Sequence, residues 1–383
     1  MDVDGIFDEI VAIRRDLHQY PETEHDVERT AGIVAHELRK IGVDVREAVG
    51  KTGVVGDLKV PGAIETLAFR ADMDALPMQE EGDLPYKSKV DGKAHMCGHD
   101  CHTSMLIGAA RLIASNKNRL KRNIRFIFQP CEEKHPGGAQ GMIEDGALDG
   151  VKEIYAHHVW PWLPVGAVGI CRGPAMAQSD EFSITIYGKG GHAAAPQNCI
   201  DPILMGAHLI TMLQSIVTKK VNPLDMGVLT VTQFHAGSSH NIIPSSAKIV
   251  GTVRTYDSKV QKIIKSSITD FTNSVTQTMG GDYEIDYVDG YPVVLNHLES
   301  EKKVEHAALN FLDVSDVKYP VKGEMFGEDF SYYSQKIPAC FIQLGCKNEE
   351  KGIINPLHHP CFNVDENCMK VGMRLFFELA FQE

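Results

Sequence analysis

His95-Met-Cys-Gly-His-Asp-Cys-His102 is the stretch from which the rest of this chain is best understood. Its eight residues include two thiols, three imidazoles and a carboxylate, and the glycine permits a tight turn. Cys97 and His99 lie two positions apart, so both can face one metal ion, and a thiolate with an imidazole suits zinc or another late divalent ion. The alternative is a loop that is rich in cysteine and histidine without binding metal.

The composition describes an ordinary globular protein of 383 residues, 43% hydrophobic and 23% charged. A chain of this length is longer than a single hydrophobic core usually accommodates, which predicts two domains. The net charge of −13 argues against nucleic acid and anionic membrane as partners. Nine dispersed cysteines and an acidic start, unlike that of a signal peptide, predict a reduced, cytoplasmic protein.

Carboxylates follow an apolar run at residues 66–70, which predicts a buried strand. Asp72 and Asp74 stand just after it. Near a metal site such residues orient the ligands or bind metal themselves, and elsewhere they form Asx turns. We expect Asp72 and Asp74 to orient the ligands, because metal ligands need ordering partners.

A second strand, predicted at residues 124–128, leads into Glu132 and Glu133. Side chains alternate along an extended backbone, so we expect one carboxylate to bind metal while its neighbour faces the substrate. This division suits metal-assisted hydrolysis, in which a base takes a proton from water. The alternative is a solvated pair of acids.

Two histidine pairs complete the set of candidate ligands. His157 and His158 follow a strand predicted at residues 153–156, and His358 and His359 stand far downstream. A lone histidine is more often structural than a ligand. Several polar clusters, three of them at strand ends, favour a common site.

Hydrophobic periodicity predicts two helices at the start of the chain, around residues 6–17 and 34–41, followed by short strands at 43–45 and 54–58. Between boundaries near residues 176 and 292 the pattern changes to a self-contained α+β layer. Its predicted elements are a strand at 181–187, a helix at 203–217, strands at 228–234 and 248–254, a helix at 258–279 and a strand at 283–288. Helices at 299–311 and 365–381 follow.

The order of motifs resembles that of the aminoacylase/carboxypeptidase-type dinuclear metallopeptidases. The resemblance is carried by Arg70-Ala-Asp-Met-Asp-Ala-Leu-Pro77, His95–His102, Gln129-Pro-Cys-Glu-Glu133, His158-Val-Trp-Pro161, Gly190-Gly-His-Ala-Ala-Ala-Pro196, Asn241-Ile-Ile-Pro244 and Gly327-Glu-Asp-Phe-Ser331. Within that family the chain is most similar to the amidohydrolase branch of hippurate hydrolases, auxin-conjugate hydrolases and N-acetyldiaminopimelate deacetylases. The resemblance implies an α/β, zinc-peptidase-like catalytic domain, residues 1–176 and 293–383, with an inserted α+β lid and dimerisation domain, residues 177–292.

The resemblance also implies roles for individual residues. The metal ligands would be Cys97, His99, Glu133, His158 and His358. Glu132 would be the general base. The imidazole of His192 would enter the partner subunit's site and stabilise the oxyanion, while Asn241 and Arg254 would hold the substrate carboxylate. Without the resemblance, Asn241 reads as a strand-end cap and Arg254 as a surface ion pair.

The chain departs from the family pattern at a few positions. The family has Gly-Leu-His-Val where this chain has Ala156-His157-His158-Val159, and matching the valine selects His158. The family's Leu-His-x-Pro selects His358 over His359. Cys131 stands where the family usually has alanine. The roles of Asp72, Asp74, Cys131, His157 and His359 stay open.

The implied reaction is hydrolysis of the amide bond of N-acyl-L-amino acids by a metal-bridging water with Glu132 as base. Two divalent ions per subunit are implied; the ligands favour Zn²⁺, with Mn²⁺, Co²⁺ or Ni²⁺ as alternatives. A homodimer or dimer-based tetramer acting on a small molecule is expected. The alternatives are a carboxypeptidase or dipeptidase, and a non-catalytic relative that binds metal or metabolites. The acyl group and the amino-acid side chain are not determined.

Overall fold

The computed structural model describes residues 2–382, which form two compact units. The first unit contains the chain up to Ala175, residues Val294–Gly323 and the chain from Asp329 onward. The second contains Met176–Val293 and Glu324–Glu328. The chain thus passes from the first unit to the second at residue 324 and returns to the first at residue 329. Hydrophobic periodicity does not predict this short segment of the second unit.

Up to residue 176 the chain alternates helices and strands. The helices are α1 (Val3–Gln19), α2 (Glu28–Lys40), α3 (His99–Ser115) and α4 (Ala139–Glu144). The strands are β1 (Asp44–Val49), β2 (Gly53–Leu58), β3 (Thr66–Asp72), β4 (Asn123–Gln129), β5 (Val151–Pro164), β6 (Val168–Cys171) and β7 (Pro174–Met176). Both helices predicted at the start are confirmed: Asp2 caps the first, and Ile6, Ile10 and Leu17 bury one face. Strand β5 runs past its predicted end through both histidines of the 157–158 pair.

The second unit follows the strand and helix order that the sequence predicts. Its elements are β8 (Gln178–Tyr187), β9 (Gly191–His192), α5 (Pro202–Lys220), β10 (Gly227–Ala236), β11 (Ile242–Ile243), β12 (Ser246–Thr255), α6 (Ser258–Met279) and β13 (Asp282–Tyr291). The four long strands form an antiparallel sheet in the order β10-β12-β8-β13. Phe182 and Ile184 of β8 pack with Leu209 of α5 and Ile264 of α6 in one apolar core. The β9–β11 ladder is a feature that periodicity does not predict, because each strand has two residues.

The remaining elements complete the first unit. They are β14 (Val294–Leu295), α7 (Leu298–Leu309), β15 (Val317–Val321), α8 (Ser331–Ser334), β16 (Ala339–Lys347) and α9 (Cys368–Phe381). Both late helices are confirmed, although α9 begins three residues after its predicted start. Among residues 2–382, no helix combines the length and apolar character needed to cross a bilayer.

An eight-stranded mixed sheet positions the candidate site. Its strand order is β1-β2-β4-β3-β5-β16-β6-β15. Strand β3 lies between β4 and β5 and is parallel to both, so the carboxyl ends of the three strands meet at one edge. Ligands usually bind at this edge of a parallel sheet. Apolar residues of the sheet and its helices, such as Phe69, Phe126, Met105 and Phe376, form the core beneath it.

Candidate metal centre

Cysteine, histidine and glutamate side chains converge at this edge of the first unit. Atoms able to bind a metal lie within 4.8 Å of one another in the groups Cys97–His99–His158, His99–Glu132–Glu133 and Cys97–Glu133–His358. The groups share members, so they form a single cluster. The structure therefore brings together all five residues that the resemblance implies as ligands, and also Glu132.

A sharp turn at Gly98 places Cys97 and His99 in this cluster. Gly98 has a φ of 91°, in the left-handed region, and a Cβ atom there would lie 2.3 Å from Cγ2 of Val159. Only glycine meets both conditions without strain. The turn ends directly in α3, whose first residue is His99. Thiol and imidazole consequently face the same space.

Strand β5 presents His158 to the cluster with a defined tautomer. Nδ1 of His158 lies 2.8 Å from the carbonyl oxygen of Val159, so this nitrogen donates and carries the proton. The Nε2 lone pair then faces Sγ of Cys97, 3.4 Å away. Burial, together with His102, lowers the pKa of His158 well below its ordinary value and keeps the ring neutral, as a ligand must be.

His157 turns to the opposite side of β5. Its ring stacks on Phe376, with the centroids 4.1 Å apart and the planes at 14°. Neither ring nitrogen has a hydrogen-bond partner among residues 2–382. Burial lowers the pKa of His157 to about 3, so the ring is neutral. The structure thus places His158, and not His157, in the cluster.

Glu132 and Glu133 both turn toward His99. Asp74 accepts hydrogen bonds from the backbone amides of Glu132 at 2.9 Å and of Glu133 at 3.1 Å. One carboxylate oxygen of each glutamate lies within 4 Å of Nε2 of His99, at 3.9 Å for Glu132 and 3.8 Å for Glu133. The expectation that adjacent carboxylates point apart is therefore wrong. It assumed an extended backbone, whereas β4 ends at Gln129 and Cys131 has a φ of 55°.

The downstream histidine pair divides in a similar way. His358 adopts a φ of 62°, its amide donates to the carbonyl oxygen of Met96 at 2.8 Å, and its Nε2 lies 3.4 Å from Oε2 of Glu133. The ring of His359 instead accepts the amide of Cys361 through Nδ1 at 3.0 Å. His358 thus reaches the cluster, while His359 stabilises its own loop.

Negative charge dominates this cluster. Burial raises the pKa of the Cys97 thiol well above its ordinary value, and Glu133 and Glu132 add to the effect. Burial alone would lower the pKa of His99, but Asp72, Asp74 and Glu133 outweigh it and raise that pKa to about 10. The same carboxylates would favour a divalent cation, whose charge allows the thiol to ionise.

The donor set fits a divalent metal on structural grounds. Both ring nitrogens of His99 and the Oε1 atom of Glu133 are buried and make no hydrogen bond within residues 2–382. Buried polar atoms without partners are costly, and metal coordination would satisfy Oε1 of Glu133 and one nitrogen of His99, while Nδ1 of His99 lies 3.5 Å from Oδ1 of Asp74. Thiolate, imidazole and carboxylate together are the donors of zinc sites.

Asp72 is held by protein partners. Its Oδ2 accepts a hydrogen bond from Arg70 at 2.6 Å, and its Oδ1 lies 2.6 Å from Nδ1 of His102. Burial would raise the pKa of Asp72, but His99, His102 and Arg70 outweigh it and hold the pKa well below its ordinary value. Asp72 thus bonds His102 in the loop-helix segment that carries Cys97 and His99, and Asp74 bonds the backbone amides of Glu132 and Glu133. These contacts agree with the expected orienting role.

Arg70 is a residue of the site that the spacing of metal donors does not reveal, although its place in the strand does. An arginine inside an otherwise apolar strand must have a buried acidic partner, because an unpaired buried charge is costly. Here the partners are Asp72 and Asp329, the latter at 2.9 Å. All three side chains are 1% exposed or less.

In the second unit, His192 and Asn241 lie close together while Arg254 lies far from both. His192 of β9 pairs with Ile242 of β11, and the amide of Ala193 donates to the carbonyl oxygen of Asn241 at 3.0 Å. The register pairs Arg254 with Ser179 at the opposite end of β8, about eight residues or roughly 26 Å along the strand from the end that leads to His192.

Arg254 does not form the surface ion pair that was its alternative reading. Its Nη1 donates to the carbonyl oxygens of Val253 at 3.0 Å and Asp180 at 3.4 Å, and to the hydroxyl of Thr252. No carboxylate of the described chain pairs with it. Burial lowers its pKa, and Glu181 and Asp180 only partly offset this. The guanidinium is therefore able to receive an anion.

Comparisons with known proteins agree with this geometry. The sequence profile of peptidase family M20/M25/M40 matches residues 68–382. An N-acyl-L-amino acid amidohydrolase of Geobacillus stearothermophilus is 41% identical over 79% of this chain and 81% of its own length. Thermostable carboxypeptidase 1 of Saccharolobus solfataricus is 40% identical over 97% of this chain and 94% of its own. The crystal structure of the Bacillus subtilis YXEP protein, described as a dinuclear metal binding peptidase, superposes with a TM-score of 0.86 at 33% identity, covering 99% of this chain and 98% of that one.

Proposed function

This chain belongs to peptidase family M20/M25/M40 and is an enzyme that acts on amides, and from this premise we propose that it hydrolyses the amide bond of N-acyl-L-amino acids. The observation that carries the proposal is the pair Glu132 and Glu133, held by one carboxylate, Asp74, and turned toward His99. One acid can then serve as a ligand while the other stays within reach of the reacting groups.

Cys97, His99, Glu133, His158 and His358 would hold two divalent ions, with Cys97 and Glu133 each belonging to more than one of the overlapping groups. Bound ions would supply Lewis acidity, which polarises a carbonyl group and lowers the pKa of water. The sulfur and nitrogen donors favour Zn²⁺, and the oxygen-rich side near Glu133 also suits Mn²⁺, Co²⁺ or Ni²⁺.

Glu132 would transfer the proton. Its carboxylate takes a proton from the water that attacks the acyl carbon, and it then gives that proton to the leaving nitrogen as the carbon–nitrogen bond breaks. This transfer gives a carboxylic acid and a free amine; the acid then yields its proton to the amine, so the products are a carboxylate and an amino acid with a protonated amine, and atoms and charge balance. Glu132 is 7% exposed and His99 fully buried, which limits competition from bulk water at this proton transfer.

Arg254 would bind the carboxylate of the substrate, as its lack of an ionic partner supports. His192 would stabilise the developing oxyanion, with Asn241 beside it. Because Arg254 lies at the other end of the sheet from His192 and Asn241, one subunit's lid does not offer all three to a single small molecule. We therefore propose a homodimer in which His192 and Asn241 serve the site of the partner.

A carboxypeptidase acting on short peptides is the second candidate, favoured by the 40% identity to thermostable carboxypeptidase 1. The same cluster would cleave a peptide bond, and the same arginine would hold a terminal carboxylate. The two activities differ in the group on the acyl side, which is neutral in N-acyl amino acids and carries an ammonium in dipeptides.

All nine cysteines are free, which supports a reducing, cytoplasmic location.

A substrate panel with metal-reconstituted protein tests this proposal. Metal-free protein is loaded with Zn²⁺, Mn²⁺, Co²⁺ or Ni²⁺ and given N-acetyl-, N-benzoyl- and aminoacyl-L-amino acids, and the released amine is measured. We expect N-acyl amino acids to give the higher kcat/KM, with Glu132→Gln as the inactive control. Faster hydrolysis of dipeptides would select the carboxypeptidase. The absence of turnover with every metal and substrate would overturn both functions.

A further inference from the structure

His102 lies in the same motif as Cys97 and His99, yet both of its ring nitrogens are engaged by protein groups. Nε2 lies 2.9 Å from the backbone nitrogen of Val159, and Nδ1 lies 2.6 Å from Oδ1 of Asp72. A backbone amide only donates, so Nε2 accepts and bears no proton. Nδ1 therefore carries the proton and donates it to Asp72. Neither nitrogen keeps a lone pair for a cation, although Asp72, His99 and His102 lie within 4.8 Å of one another.

The contact with Val159 occurs where the main-chain ladder between β3 and β5 stops. The last residue pair of that ladder is Arg70 with Ala156. Beyond it the β3-facing amide of Val159 has no strand partner among residues 2–382, and a buried amide without an acceptor is costly. The imidazole of His102 supplies the acceptor and, through its other nitrogen, connects β5 to Asp72 at the end of β3.

Val159 in turn sets the orientation of His158. Its carbonyl oxygen accepts the Nδ1 proton of His158 at 2.8 Å, which directs Nε2 toward Cys97. A shift of the Val159 peptide would rotate that imidazole. His102 therefore acts on His158 through the backbone of a single residue, Val159, and the rings of the two histidines also meet edge to face with centroids 4.5 Å apart.

The other end of this connection is fixed by charge. Arg70 donates to Asp72 at 2.6 Å, to Asp329 at 2.9 Å and to Gln129 at 3.0 Å. Gln129 also donates to both carboxylate oxygens of Asp329, each at 2.7 Å. All four side chains are buried, so Asp72 cannot swing away from His102.

We propose that His102 is a positioning residue of the metal centre and not a ligand. Its ring is fixed by Asp72, which Arg70 holds in turn, and it accepts the hydrogen bond of the Val159 amide. In this way His102 orients His158. The inference rests on the metal centre of the proposed function but not on its substrate. Loss of a group that orients a metal ligand typically costs about 10- to 100-fold in metal affinity.

Two amide substitutions separate the two contacts of His102. In His102→Gln the terminal oxygen and nitrogen reach as far as the imidazole Nε2, so both contacts can re-form. In His102→Asn they reach only as far as Nδ1, so the contact with Asp72 is kept and that with Val159 is lost. His157→Leu is the matched control, because it removes a buried imidazole one residue from His158 that bonds no protein group among residues 2–382.

The wild type and the three variants are prepared without metal. Each is titrated with Zn²⁺ against a competing chelator, and with Co²⁺ while the absorption spectrum of the bound Co²⁺ is recorded. We expect His102→Asn to lose about 10- to 100-fold in affinity and to change the Co²⁺ spectrum. His102→Gln and His157→Leu should stay within about threefold of the wild type, with two ions per subunit. Circular dichroism of each metal-free form shows whether it is folded.

Wild-type affinity in folded His102→Asn would overturn the inference, because the Val159 contact would then be dispensable. Loss of one whole ion in both His102 variants would also overturn it, by showing that His102 is itself a ligand. If the wild type binds two ions but cleaves no amide in the panel, the proposed substrate fails and these affinities still decide the role of His102.

Discussion

Sγ of Cys97 lies 3.4 Å from Nε2 of His158, although 61 residues separate them in the chain. Gly98 turns the loop that carries Cys97, and Val159 fixes the tautomer that aims His158 at it. A thiol and an imidazole lone pair that face each other in a buried, acid-rich cluster form half of a zinc site.

Replacement of Cys97 tests its role as a ligand. Cys97→Ser should lower metal content and activity together, the latter by more than about 100-fold, since a ligand matters more than a group that merely orients one. Cys101→Ser is the control, because Cys101 is fully buried in the apolar core and belongs to none of the ligand groups among the described residues. Metal per subunit is measured by mass spectrometry. Equal metal loss in the two variants would contradict the assignment.

The paired acids should separate into a base and a ligand. Glu132→Gln should keep both metals but lower turnover by about 10²- to 10⁴-fold, because an amide does not accept the proton. Glu133→Gln should release metal instead, since Glu133 also contacts His358. Metal analysis and kcat of the two variants are compared side by side. The reverse pattern would exchange their roles.

Mixed dimers test whether His192 acts in the partner's site. Glu132→Ala and His192→Ala subunits are dissociated together and reassembled. In each mixed dimer one site would combine an intact Glu132 with an intact His192, and half the dimers are mixed, so about a quarter of wild-type activity should return. Each parent alone should be nearly inactive. If the subunits are shown to exchange and no activity returns, His192 acts within its own chain or has no catalytic role.

His157→Leu should stabilise the metal-free protein. The imidazole is buried with neither nitrogen bonded within residues 2–382, and each such group costs about 1–3 kcal/mol. Loss of the stacking on Phe376 offsets about 0.5–1.5 kcal/mol. The free energy of unfolding in urea should therefore rise by about 1 kcal/mol or more. A decrease would mean that the ring has a partner that the described protein groups do not supply.

His18 should make stability depend on pH. Its Nδ1 lies 2.8 Å from Asp100 and its Nε2 lies 3.4 Å from Glu80, in a buried setting. Burial alone would lower the pKa of His18, and Arg14 also lowers it, but Asp100 and Glu80 outweigh both and raise the pKa above its ordinary value. The folded protein then binds the proton more tightly than the unfolded chain.

The stabilisation by His18 should be fully present below about pH 6.5, the ordinary histidine pKa, and should be lost as the pH rises through the folded-state pKa. His18→Gln does not titrate and serves as the reference. The difference in unfolding free energy between wild type and this variant is measured from about pH 5.5 to about pH 9. A difference that is constant or grows with pH would contradict the raised pKa.

Helices, strands and ligand types followed from the sequence because they depend on local spacing. The apolar positions of α1 recur every three or four residues, and a buried face at that spacing forms a helix in almost any context. The sequence also reveals residue types that can bind metal and their positions relative to predicted strands. These two properties singled out Cys97, His99, Glu132 and Glu133.

Side-chain direction at the strand ends was decided only by the tertiary structure. Both glutamates turn toward His99 because Asp74, 58 residues away, holds their amides. The ring of His157 faces the core and that of His158 faces the cluster because β5 continues through both, and side chains alternate along a strand. The sequence assigned no role to His102 and did not reveal the hydrogen-bond partners of Arg254, for one reason. Their partners come from distant strands, and only the sheet register determines which groups meet.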